Sequence, residues 1–220
     1  MLLTRIILCG TILNGKHLKS KGVMNMEKVS IDLSNRFCPQ TLFLYGTYKD
    51  DGTPNFGLFC WFSYCWDSEL GVMASIGGEK LTKDIIKKGK VFSANLVTKP
   101  LLPLADYLGN TAGYTSEKMN IPIEVERGAV LNVPILKNSP WVFELEVAQT
   151  ITLDDSDIFI CKIRNTLAAK ELLEESKSIE EMAQFAAPVL TMGEQRYFTV
   201  DTTPLGEWGK MHEDMNPNMK

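Results

Sequence analysis

Strand-like runs follow one another in this chain with few helices between them, and that order constrains the fold more than any other feature. Residues 41–48, TLFLYGTY, are β-branched, aromatic and apolar on both faces, as in a strand inside a closed sheet. The turn KDDGTPN at 49–55, centred on Asp51 and Gly52, leads to a strand at 57–66, GLFCWFSYCW, and LGVMASI at 70–76 makes a third. Helical spacing enters at 79–88, with Leu81, Ile85 and Ile86 on one side, Lys87 and Lys88 near the end and Gly89 as the stop. VFSANLV at 91–97 is again a strand, PLLPLADYLG at 100–109 a short helix, and 110–140 a long excursion rich in turn formers. The clearest alternation lies at 142–153, with Phe143, Leu145, Val147, Ile151 and Leu153 on one face and Glu144 and Glu146 on the other. A turn at 154–157 returns the chain as IFICKIR at 158–164. An acidic amphipathic helix at 170–185 and a short strand at 196–200 complete the body. A doubly wound sheet needs strands alternating regularly with helices. This pattern predicts a mainly β, α+β barrel with short peripheral helices.

The formal net charge of -4 gives no general attraction to nucleic acid or to an anionic membrane surface. No window approaches the ~18 apolar residues of a membrane span. The opening stretch MLLTRIILCGTILN looks like a leader, but Arg5 interrupts it and no small-residue cleavage site follows. Residues 1–33 are read as an N-terminal extension, with Met24 or Met26 as alternative starts, 34–206 as the body and 207–220 as a tail. Cys9, Cys38, Cys60, Cys65 and Cys161 are an odd set without disulfide or zinc spacing, which suits reduced thiols in a cytoplasmic protein.

Residues 10–17 read G-x-x-x-x-G-K-H, one residue short of a P-loop; His17 stands where a Ser or Thr hydroxyl would hold magnesium, so the match is a coincidence. The only histidines are His17 and His212, both in the terminal appendages. A serine hydrolase triad, a cysteine–histidine pair or a histidine metal site would need an imidazole in the body. An enzymatic reaction here would draw on a bound cofactor. The segment 75–82, SIGGEKLT, leaves a strand, crosses two glycines and opens a helix, so free N–H groups, Ser75, Lys80 and Thr82 are placed to hold a phosphate. It reads equally as a Gly-Gly turn before a surface helix. Phe59, Cys60, Trp61 and Phe62 are suited to line a flat heteroaromatic ring, or to fill a core. Asn95 reads either as a ligand contact or as a buried amide serving the backbone.

Taken in order, these segments resemble the flavin reductase-like family, and most closely its flavoredoxin branch, from about Gln40 to Gly206. The D-G-x-P-N turn with Trp61 after it, Ser75 and Thr82 at the helix start, Asn95 in a V-N-type strand, 105–109 as A-D-Y-x-G, Glu117-Lys118, and Pro188 with Arg196-Tyr197-Phe198 carry the resemblance. Asp67-Ser68-Glu69-Leu70 departs from it where many relatives have two prolines. The resemblance implies an FMN-binding split β-barrel, a homodimer with flavin near the interface, and NADH or NADPH as hydride donor to a small-molecule or protein acceptor. By the same resemblance Ser75, Lys80 and Thr82 hold the FMN phosphate. Cys60, Trp61 and Phe62 line the ring, and Asn95 and Thr98 contact the ribityl chain or ring edge. A non-catalytic FMN-storage protein and a flavin-dependent oxidase of another small molecule are the alternatives.

Overall fold

The computed structural model describes residues 26–193 and 196–208. The broken P-loop at 10–17, both histidines and most of the tail lie outside the described residues. The chain divides into two compact units, Met1–Ser34 and Asn35–Lys220. Residues 26–34 are exposed and carry neither helix nor strand.

In the body, β1 (Gln40–Thr41) and β2 (Phe43–Tyr48) occupy the first apolar run, and the Asp51-Gly52 turn leads into β3 (Pro54–Phe59). Asp51 accepts from Thr53 N and Oγ1 at 2.9 and 2.6 Å, and Gly52 takes a φ of 81°, which a side chain would disfavour. The 57–66 run is not one strand. It ends as β3 and restarts as β4 (Phe62–Asp67), with Cys60 and Trp61 between them. There follow β5 (Glu69–Gly77), α1 (Leu81–Gly89), β6 (Val91–Leu96) and α2 (Leu102–Asn110). The stop of α1 differs from expectation: Gly89 is its last residue, and Lys90 takes the left-handed position at φ 62°. The long excursion holds a small hairpin, β7 (Val125–Arg127) and β8 (Pro134–Leu136). The two long strands β9 (Trp141–Thr152) and β10 (Ser156–Ala168) then pair antiparallel.

The amphipathic segment at 170–185 is broken as well. Only α3 (Ile179–Ala186) is α-helical, because Ser178 and Glu181 form a reciprocal capping box that starts a new helix there. β11 (Val189–Met192), which carries no sequence signal, and β12 (Arg196–Thr199) close the described body.

Seven strands form one antiparallel sheet in the order β3-β2-β6-β9-β10-β5-β4. The chain-consecutive strands β3 and β4 are therefore its two outer edges. The sheet rolls until those edges approach: Phe43 of β2 and Phe62 of β4 have ring centroids 4.3 Å apart. Strand twist drives this coiling, and register shifts at 160/161 and 163/165 bend β10 against β9. The edges do not pair, so the barrel is split. Alternate residues fill two cores. Phe43, Tyr45, Val72, Phe92, Phe143 and Phe159 pack inside, while Leu42, Leu44, Phe56, Ala105, Leu108 and Leu136 pack outside. That double burial is why β2 is apolar on both faces. On β9 the face opposite the apolar one is covered as well, since Glu144 is fully buried there.

Candidate functional site

The end of β3 and the break after it, residues 57–61, are flanked by α2 on one side and by the start of α1 on the other. Gly57 permits the closeness: a Cβ there would stand 2.9 Å from Thr82 Oγ1. Thr82 is the second residue of α1, 3% exposed, and Asn55 Nδ2 donates to its hydroxyl at 2.9 Å. With its oxygen accepting, the Thr82 hydroxyl keeps its own proton to donate. No side chain caps the N-terminus of α1, so its first N–H groups have no side-chain acceptor.

Lys118 completes this end. A short 3-10 turn, Ser116–Met119, carries it, and the Tyr107 hydroxyl donates to its carbonyl at 3.3 Å. The side chain is 3% exposed. Burial first, and then the like charges of Lys80 and Lys49, lower its ammonium to about 8. A buried cation beside two other cations and a bare helix N-terminus is an arrangement that awaits an anion. The cavity at this end has about 210 Å³ and is also lined by Glu79, Leu108 and the 111–114 loop.

Leu58, Phe59, Gly109 and Asn110 line both this cavity and the next, of about 350 Å³. There the Tyr197 hydroxyl donates to Asp106 Oδ1 at 2.5 Å. Burial and that carboxylate push the Tyr197 hydroxyl up to about 12. Cys60 and Thr191 continue into a third cavity of about 760 Å³, beside Gln40 and Trp61. The three form one groove along the β3 backbone, cationic at one end and aromatic at the other.

The predicted site residues distribute unevenly along it. Lys80 and Thr82 line the cationic end, and Cys60 and Trp61 the wide end. Ser75 sits on β5, half-buried, its N–H donating to Trp61 O at 2.9 Å. Phe62 turns into the barrel, against Phe43 and Phe143. Asn95 is fully buried and spends its amide on Leu44 O, Ser93 Oγ and Leu136 N, each at 2.9 Å. Thr98 is 5% exposed and bridges Pro188. Sequence reasoning gave no role to Asn55 or Lys118, although both stand in matched motifs; Asn55 Oδ1 is buried with no partner, as is the Tyr45 hydroxyl inside the barrel.

A family model, the flavin reductase like domain, matches residues 35–201. The chain belongs to that family. Its fold is shared by the flavoredoxin from Methanosarcina acetivorans, with a TM-score of 0.74 and 22% identity over 87% of this chain and 100% of that one. An FMN-binding protein from Thermus thermophilus, solved with bound p-hydroxybenzaldehyde, has a TM-score of 0.66 and 20% identity over 83% of this chain and 98% of its own. A curated relative, an uncharacterized protein from Aeropyrum pernix, is 20% identical over 191 residues, covering 82% of this chain and 70% of that protein. This flavin reductase-like protein thus has the split-barrel fold of flavin-handling proteins. Among its described residues no helix is long and apolar enough to cross a membrane.

Proposed function

We propose that the groove holds FMN and that the protein is a cytoplasmic NAD(P)H-dependent flavin reductase or a flavoredoxin-like electron carrier. The observation that carries this reading is the buried Lys118, without an anionic partner, at the closed end of a groove that runs on to Trp61. Lys118, Lys80, the Thr82 hydroxyl and the first N–H groups of α1 would hold the phosphate. The backbone at 58–61 would supply donors and acceptors to the ring edge, with Cys60 and Trp61 as its walls, and Ser75 would fix that backbone through its bond to Trp61 O. Asn95 and Phe62 would act on the site by holding β2, β6 and β4 in register around it. Bound FMN would supply the hydride and electron chemistry that side chains without a histidine in the body do not. The chain's own contribution is to orient the ring, exclude water from one side and leave the wide cavity for a nicotinamide or an acceptor.

The same reading includes a homodimer. Within the segment at 110–140, Val133, Ile135 and Leu136 are buried on their own chain, while Tyr114 and Val130 are exposed. The edge strand β4 and the start of β5 expose Tyr64, Trp66 and Leu70 in continuity with Trp61 of the groove. A second copy of this chain over that edge would also cover the open side of the ring.

Absorbance spectra and calorimetry of the full chain with FMN and with riboflavin test the cofactor. FMN is expected to bind at least tenfold more tightly, the share a phosphate contributes through charged hydrogen bonds. Equal affinity would remove the phosphate assignment. Anaerobic titration with NADH and with NADPH then tests the donor: bleaching of the flavin band is expected with one of them, and its absence with both would leave the electron-carrier or storage role. Sedimentation with and without FMN tests the pairing, which a monomer of full flavin affinity would overturn.

A further inference from the structure

We propose that the loop at 111–115 is an end-stop that makes the cationic cavity selective for a terminal phosphate monoester over the diphosphate of a dinucleotide. The inference rests on the flavin reading above and specifies which flavin the groove takes. The loop leaves α2 with Thr111 N and Oγ1 both donating to Tyr107 O, at 3.0 and 2.8 Å. Thr115 N then donates to Ala112 O at 3.1 Å, which folds 112–115 into a tight turn.

Two contacts press this turn onto α1. The Tyr114 hydroxyl donates to the Asp84 carboxylate one turn into the helix. At Gly113 the chain comes so near that a Cβ would stand 2.7 Å from Leu81 Cβ. Only a glycine permits that approach. The loop then runs directly into the 3-10 turn that carries Lys118. The stretch 112–118 thus walls one side of the cavity through Ala112, Gly113 and Tyr114 and delivers its buried cation, Lys118.

The chemical consequence follows from connectivity. A mononucleotide's phosphate is the end of its molecule, so a compartment closed behind it costs nothing. In a dinucleotide the corresponding phosphate continues through a second phosphate into a nucleoside, which needs an open path. Thr111, Ala112, Gly113 and Tyr114 all line this end compartment of about 210 Å³. Passage of a second nucleotide would require the 111–115 loop to lift from α1, breaking the Tyr114–Asp84 bond. Tyr114 is 60% exposed and acts through the loop, as a positioning residue.

The test compares dissociation constants for FMN and FAD by fluorescence quenching, in the full chain and in Y114F and G113A. The natural chain is expected to prefer FMN at least tenfold. Y114F frees the turn and G113A pushes it off Leu81, so each should narrow that preference at least threefold while thermal melting shows a folded protein. A natural chain that binds FAD within threefold of FMN overturns the end-stop, as does an unchanged preference in both variants while FMN still binds. A natural chain that binds neither flavin overturns instead the flavin reading on which the end-stop rests.

Discussion

Among the described residues Glu144, Lys118 and Asp157 are the charged side chains almost wholly buried, and the surroundings of the first two are opposites. Glu144 on β9 is enclosed by donors: the N–H groups of Ala129, Val130 and Leu131 reach it at 2.9, 2.9 and 2.5 Å, and Asn165 Nδ2 at 2.8 Å. Burial alone would raise its carboxyl, but these bonds outweigh it and hold the group below the usual carboxylate range. Lys118 has no such company, and burial beside Lys80 and Lys49 brings its ammonium down to about 8. The two buried asparagines repeat the contrast. Asn95 has its amide fully used by Leu44, Ser93 and Leu136, whereas Asn55 keeps an unpartnered Oδ1 beside Thr82. A buried polar group satisfied by its own chain builds the fold, and one left unsatisfied marks where something else is expected to bind.

The largest effect expected of this contrast is on stability at Glu144. Glu144→Ala takes their acceptor from the N–H groups of Ala129, Val130 and Leu131, at a cost of about 1–3 kcal/mol, read from urea unfolding. The pH dependence has a definite sign. A carboxyl depressed in the folded state stabilises it above the unfolded pKa of about 4.3, and that contribution fades as pH falls through the lower folded value. Glu144→Gln should flatten this acid limb. A variant as stable as the natural chain would end the claim that Glu144 is structural.

At Lys118 the same measurements should run the other way. Lys118→Met removes a charge that folding buries uncompensated, so the ligand-free protein should become more stable rather than less. FMN should bind about ten- to a hundredfold more weakly, and riboflavin as before. Because folding lowers the ammonium to about 8, the ligand-free natural protein should gain stability as pH rises from there towards the unfolded value of about 10.4. Over the same rise its FMN affinity should fall, as the cation is lost. Both slopes should vanish in Lys118→Met, and a destabilised variant with intact FMN binding would place Lys118 with Glu144.

Thr82 sharpens the comparison with the smallest effect, since it belongs to both classes. Thr82→Val removes the acceptor of Asn55 Nδ2 and the proton offered to a phosphate. The loss should be about 1 kcal/mol in unfolding and several-fold in FMN affinity. A change in only one of the two would assign Thr82 to a single role.

Much of this was legible in the linear sequence, for stated reasons. Alternation in β9, two-sided apolar character in β2 and Asp51-Gly52 at the first turn are local signals with local outcomes. The S-x-x-E start at Ser178 was local too, and the amphipathic stripe before it hid the boundary. The break at Cys60-Trp61 had no local signal, because what ends β3 is the transfer of the chain from one edge of the rolled sheet to the other. Lys80 and Thr82 were visible as candidates because a Gly-Gly turn opening a helix exposes N–H groups wherever it occurs. Asn95 looked no different in sequence from a ligand-binding amide, and the count of its partners separates the two.

The sequence by itself determined the mainly β class, the absence of histidine from the body and the helix start that offers N–H groups to an anion. Each follows from side-chain periodicity or residue type over a few neighbours. Only the tertiary structure decided that Lys118, 36 residues beyond Thr82, joins it at one end of a groove while Glu144, on a strand that alternates by the rules, lies sealed beneath a loop. Sequence records which groups carry charge, but the worth of a buried charge depends on what the rest of the chain brings within hydrogen-bonding distance of it.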